Sequence, residues 1–139
     1  MYPIIFARVA SMRYYKGITE NDRPKNGGSF VSSTGMAHEC YNFDPIIQDG
    51  EDYEKCIGYC QLSGGKAGVN QMHIEKIVGC KACKKEDCCE NVTVVFVART
   101  SDTKSMRVVG FYKNATVFRR PRIMLFDNGY EQTYWFEAK

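Results

Sequence analysis

The chain has no apolar run near the ~18 to 20 residues that a membrane-crossing helix needs. Met1 to Ser11 also lacks the basic start ahead of a long apolar core that marks a secretory signal. These two gaps point to a cytoplasmic protein with no membrane partner. Histidine is scarce, with His38 and His73 the only two. His38-Glu39 has no second histidine at the i, i+4 spacing of a metalloprotease helix. There is no Gly-x-Ser-x-Gly elbow and no Gly-x-x-x-x-Gly-Lys phosphate loop. The acidic residues fall in loop-like stretches, with no pairing suited to general acid and base work. The chain is therefore expected not to be an enzyme, and any catalysis is expected from a separate domain or partner. Long runs of helix formers are missing too. Nine Tyr and eight Phe among 139 residues favour strands.

The length suits one domain, 1–139, with room for a core that needs no disulfide or metal. The net charge of +3 is small, but its distribution is uneven. From Arg99 to Arg122 the bases are Arg99, Lys104, Arg107, Lys113, Arg119, Arg120 and Arg122, against the single acid Asp102. From Glu39 to Glu54 the acids Asp44, Asp49, Glu51, Asp52 and Glu54 meet no Lys or Arg. The basic stretch reads as either a solvated face or a polyanion surface. Seven cysteines, an odd number in a cytoplasmic chain, suggest reduced thiols.

Along the chain, Tyr2 to Met12 reads as an opening strand, and Tyr14 to Gly28, with Gly17, Pro24 and Asn26-Gly27-Gly28, as a long loop. A short strand at Ser29 to Val31 and a turn at Ser32 to Gly35 follow. Cys40 to Phe43 is a brief aromatic segment that Asp44-Pro45 ends. Lys55 to Leu62 is a second clear strand. Asn70 to Val78 is too short for its period to separate helix from strand. Cys80 to Asn91 reads as a loop. Val92 to Arg99 is the strongest strand, and its near-continuous apolar character suggests burial on both faces. Met106 to Tyr112 and Ala115 to Arg119 read as two strands joined by Lys113-Asn114, and Tyr130 to Ala138 as the last. About six short strands, few short helices and long loops argue for a mostly β domain of α+β type, a compact barrel or strongly curved sheet.

Cys80-x-x-Cys83 followed by Cys88 and Cys89 has the spacing of a zinc knuckle. The adjacent second pair reaches one ion only if the backbone bends, so free loop thiols and no cofactor are preferred over zinc. Cys56 and Cys60, four apart on a strand, look like small core residues. Three segments mix ring faces with amides: Tyr41-Asn42-Phe43, Phe111-Tyr112-Lys113-Asn114 and Tyr134-Trp135-Phe136. Proteins that hold an exposed base stack it on rings and contact its edge with amides, while Lys and Arg neutralise phosphates. Trp135 reads equally as core, and Asn114 equally as a turn residue tolerating left-handed geometry.

The blocks Pro24-Lys25-Asn26-Gly27-Gly28-Ser29-Phe30-Val31, His38-Glu39-Cys40-Tyr41-Asn42-Phe43, Ile57-Gly58-Tyr59-Cys60-Gln61 and His73-Ile74-Glu75-Lys76-Ile77 carry a resemblance. So do Val92 to Ala98 and, most specifically, Val108 to Arg119. Together they resemble the N-terminal domains of HNH-type and other modification-dependent restriction endonucleases. Those domains look like members of the PUA-like superfamily, which includes the EVE, YTH and SRA base readers. The resemblance spans nearly the whole chain and departs at Cys80 to Cys89, where polar residues are expected. It implies a PUA-like pseudo-barrel that captures a modified base in an aromatic pocket, within a restriction-modification system for phage defence. The expected partners are modified duplex DNA and a fused or associated nuclease, with this chain the N-terminal part of a longer protein. RNA binding by the same fold and a zinc-stabilised protein-interaction module are the alternatives. The expected base contacts are Tyr41, Asn42, Phe43, Tyr112, Asn114 and Trp135. The expected phosphate contacts are Lys25, Lys113, Arg119, Arg120 and Arg122.

Overall fold

The computed structural model describes residues 2–26, 38–62, 71–80, 85–100 and 104–139. The strand and turn expected between Ser29 and Gly35 lie outside these residues, as does Cys83. The fold is mostly β. Five strands, β1 (Ile4–Val9), β2 (Cys56–Gly58), β3 (Cys88–Arg99), β4 (Met106–Leu125) and β5 (Glu131–Ala138), form one open mixed sheet in the order β1-β3-β4-β5-β2. Only β1 and β3 run parallel. This replaces the six-stranded pseudo-barrel with a five-stranded sheet whose edges are β1 and β2.

The largest departure from the expected elements is β4. Lys113-Asn114 does not join two strands, because Asn114 absorbs the irregularity within one. It adopts φ 50°, and the β3–β4 register shifts between Val92↔Ala115 and Val94↔Tyr112, which is a bulge. A matching shift lies on the partner strand, where Asn91 has φ 60° between Cys89↔Val117 and Val92↔Ala115. Asn tolerates left-handed geometry better than other non-glycine residues, and bulges bend strands and increase their twist. The second irregularity, between Val117 and Arg122, contains Pro121, which has no N–H to give a ladder. β4 thus pairs with β3 from Met106 to Phe118 and with β5 from Thr116 to Leu125, with Val117 between both, and bulges of this kind bend the sheet. The stretch expected as a Cys-rich loop supplies the first four residues of β3.

The aromatic stretch at Cys40 to Phe43 is not a strand. It belongs to a 3-10 helix, His38–Tyr41, and the turn after it, seated against the concave face. Phe43 packs edge-on against Tyr15, Phe96 and Tyr112 at centroid distances of 5.7, 5.4 and 5.7 Å. Its ring occupies the place a side chain would take at Gly110, which explains a glycine inside a strand. Asn42, fully buried, donates from Nδ2 to the Tyr59 carbonyl (3.0 Å) and accepts from the Tyr59 amide at Oδ1 (2.8 Å). Its side chain replaces a strand partner. The Tyr112 hydroxyl donates to the Asn42 carbonyl. A second 3-10 helix, Ile74–Lys76, is fastened to β4 by Glu75 and Arg119, 2.7 Å apart.

β3 is covered on one face only, contrary to the expectation of burial on both. Val92, Val94, Phe96 and Ala98 are buried, whereas Thr93, Val95 and Val97 on the other face are half-exposed. Cys80 and Cys89 are joined by a disulfide, which corrects the expectation of reduced thiols throughout, while Cys56, Cys60 and Cys88 are free thiols. Cys60 is core as expected, and Cys56 packs half-buried against it. No described helix is long and apolar enough to cross a membrane.

Glu39 is a buried carboxyl whose Oε2 accepts from the Ala10 amide at 2.5 Å. Burial pushes it up to about 7 from 4.5, against the pull of that amide. The folded protein therefore binds a proton that the unfolded chain releases between pH 4.5 and about 7. Stability is greatest below that window and falls as pH rises through it, by up to about 3 kcal/mol. Glu75, held down to about 2 chiefly by the Arg119 guanidinium, acts oppositely: its contribution is present above pH 4.5 and is lost as pH falls toward 2. The two windows do not overlap. Urea unfolding of Glu39→Gln is expected to show a flatter profile between pH 5 and 8 than the parent, and a more stable protein at pH 8. Asn42→Ala leaves both backbone groups of Tyr59 without partners and should lower stability by about 2 to 4 kcal/mol in the same assay. Loss of less than about 1 kcal/mol would show that the bonds are not structural.

Candidate nucleic-acid site at the turn between β4 and β5

β4 and β5 are joined by Asp127-Asn128-Gly129, flanked by Phe126 and Tyr130. The Phe126 amide donates to the Tyr130 carbonyl and the Gly129 amide to the Phe126 carbonyl, both at 2.9 Å. Gly129 takes φ 83°, the conformation that three-residue hairpins place at their last position. The turn thereby sets the two flanking rings side by side, 29° from parallel with centroids 6.2 Å apart. Tyr41, at the end of the first 3-10 helix, comes within 5.7 Å of the Tyr130 ring.

These three rings wall a cleft of about 310 Å³, which Ile46 and Ile57 close with aliphatic carbon and Asp44, Asn128 and Gln132 furnish with polar groups. Gln132 is committed to the fold: it accepts from the Tyr130 hydroxyl at 3.1 Å and donates to the His38 carbonyl at 2.7 Å. Asn128 accepts the Tyr130 amide at Oδ1 (2.9 Å), which leaves its Nδ2 donors for a ligand. Asp44 contributes an acceptor. Burial pushes the Tyr130 phenol up, so its hydroxyl remains a donor at neutral pH. The neighbouring His38, whose Nδ1 accepts the Thr133 amide, is pushed down by burial and is neutral there.

Of the residues expected to contact a base, Tyr41 alone lines this cleft. Asn42, Tyr112 and Trp135 are buried in the core. The Asn42 amide is used on Tyr59, and the Tyr112 ring lies 4.9 Å from Phe96 with its hydroxyl on Asn42. Trp135 Nε1 is buried with no hydrogen-bond partner among the described residues. Phe43 is half-buried over Gly110. Asn114 is exposed at its bulge. Phe43, Tyr112 and Lys113 do share a separate groove of about 430 Å³ between β4 and the end of β5.

The expected phosphate contacts divide in the same way. Arg119 is buried, paired with Glu75 and donating from Nε to the Glu86 carbonyl at 2.8 Å, so it serves the fold. Lys25, Lys113, Arg120 and Arg122 are exposed. Arg122 lies over the Phe118 ring at 4.2 Å and opposite Tyr134, one strand row from the Met124↔Gln132 pair beside the cleft.

The thiols expected as an alternative zinc set are not gathered among the described residues, since Cys80 and Cys89 are bonded to each other and no group of three metal-binding side chains occurs. Phe126, Asn128 and Tyr130 were absent from the expected site. Asn-Gly between two aromatics is a hairpin signal, and it was the available clue to them. No family model, curated protein or solved structure matches the chain.

Proposed function

We propose that this domain binds nucleic acid and receives one modified base in the cleft formed by Tyr41, Phe126 and Tyr130, as the recognition part of a restriction system whose nuclease lies in another domain or chain. The observation that carries the reading is the composition of that cleft: three rings, an aliphatic corner and two free polar groups in about 310 Å³. This is the low end of the roughly 300 to 1,000 Å³ found for small-molecule sites, which suits one planar heterocycle. Rings stack any base, and a carboxylate such as Asp44 accepts from an exocyclic amine. Ile46 and Ile57 offer contact to an added methyl group. The cations come from β4, whose twenty residues include five Lys or Arg and no acid. Arg122, which opposes Tyr134 on β5, supplies the phosphate contact beside the cleft.

The reading is tested by fluorescence anisotropy with methylated, hydroxymethylated and unmodified duplexes at about 50 and about 200 mM salt. The expected result is salt-dependent binding with a preference for one modified duplex. Phe126→Ala should weaken that preferred complex roughly tenfold, the loss of one stacking face, with circular dichroism unchanged. Asn128→Ala should narrow the preference while leaving the salt slope intact, and Arg122→Gln should do the reverse. Equal and negligible binding to all three duplexes at low salt removes the proposal. Stronger competition by single-stranded RNA than by modified duplex makes the module an RNA reader instead.

A further inference from the structure

The outer face of the sheet carries apolar side chains in register. Directly opposed residues of neighbouring strands share a face. Phe6 opposes Val95, which opposes Phe111, and in the next row Arg8 opposes Val97, which opposes Val108. Phe6 is 72% exposed, Phe111 54%, Val108 62% and Ile4 52%. Neighbouring strands lie about 4.8 Å apart, so the two phenyl rings stand roughly 10 Å from each other across Val95.

Around the Phe6, Val95 and Phe111 row the charges have one sign. Arg8 lies in the second row, Arg99 opposes Met106, and the Lys113 ammonium lies 5.7 Å from the Phe111 ring. β1 and β4 contain no acid, and the one carboxylate of β3, Glu90, is at its far end. Among the described residues none of Arg8, Arg99 and Lys113 has a carboxylate partner. Beyond Phe111 the surface continues into a groove lined by Lys55, Lys113 and Lys139 and by one acid, Glu54.

We propose that this face binds single-stranded nucleic acid, with bases stacked on Phe6 and Phe111 and phosphates held by Arg8, Arg99 and Lys113. Charge complementarity selects the occupant. A second copy docked about a two-fold axis would set the same patch against itself and oppose arginine to arginine. A polyanion that also presents ring faces satisfies both halves of the surface, as on other sheets that stack bases on exposed aromatics. The surface uses residues distinct from those of the cleft, so the two sites are separable.

The test measures anisotropy of fluorescein-labelled thymidine and uridine homopolymers with the full chain at two salt concentrations. Phe6→Ala/Phe111→Ala should weaken binding at least tenfold without changing the salt slope. Arg8→Gln/Lys113→Gln should lower that slope. All four positions are exposed, so folding is preserved and is checked by thermal melting. Phe126→Ala should leave homopolymer affinity within twofold, and the sheet-face variants should leave the cleft's preference among modified duplexes unchanged. Homopolymer affinity that is undetectable, or insensitive to the phenyl substitutions, overturns the proposal. It is overturned equally if phosphatidylserine vesicles, or self-association in sedimentation, depend on Phe6 and Phe111 while homopolymer binding does not.

Discussion

Six residues, His38 to Phe43, hold the concave face of this sheet together through their polar groups, and the rest of the structure depends on that attachment. The Glu39 carboxyl takes the Ala10 amide at the end of β1, and the Cys40 carbonyl takes the Gly17 amide. Asn42 pairs with Tyr59 just after β2, its carbonyl takes the Tyr112 hydroxyl of β4, and the His38 carbonyl takes Gln132 of β5. A sheet bent by register shifts at four places has a hollow that flat layers cannot fill, and its shortest strand has few ladder bonds of its own. One segment fills the hollow with the Phe43 ring and anchors that strand with an amide. The same segment ends at Tyr41, so the attachment that closes the core also places one wall of the cleft.

Strand positions were legible because β-branched and aromatic runs bounded by glycine and proline leave few alternatives. Ile4–Val9, the Val92 to Arg99 part of β3 and Glu131–Ala138 each fall where such a run lies, whereas the first four residues of β3, read as loop, do not. What a short pattern could not convey was the three-dimensional role of side chains with interchangeable chemistry. An asparagine offers a base edge one donor and one acceptor, and it offers a peptide group the same pair. Asn42 was expected to read a base and instead completes a backbone. Asn114 shows the converse, since its left-handed tolerance was recognised but assigned to a connection, whereas it makes a bulge inside a continuous strand. Arginines 119, 120 and 122 surround a proline at an irregularity, and strand parity there does not tell which one turns inward.

The aromatics divide by the environment of their polar handles. Tyr15 and Tyr112 are fully engaged: Tyr15 donates to the Ala10 carbonyl and accepts the Met12 amide, and burial pushes its phenol up to about 12. Such rings are structural, because freeing one to stack a ligand would leave backbone groups unpaired inside the protein. Tyr41, Phe126 and Tyr130 keep an open face beside groups with unused donors or acceptors. Aromatic residues close in sequence can therefore belong to different classes. Phe111 and Tyr112 are neighbours, yet one faces solvent and the other the Asn42 carbonyl.

An exposed apolar sheet face next to an edge strand is a hazard, and among the described residues β1 pairs only with β3 and lies at the edge beside Ile4 and Phe6. Cations are a common remedy for this in proteins, because like charges disfavour face-to-face and edge-to-edge association of identical chains. Arg8, Arg99 and Lys113 provide that repulsion here. Repulsion between copies and attraction for a polyanion are the same electrostatic field seen by two partners. Mixed-sign gatekeepers would have met the first need equally well, but Arg8, Arg99 and Lys113 on this face come from strands whose nearby stretches carry no acid. That bias is what solubility alone leaves unexplained, and it is the ground on which the proposal of a polyanion at this face rests.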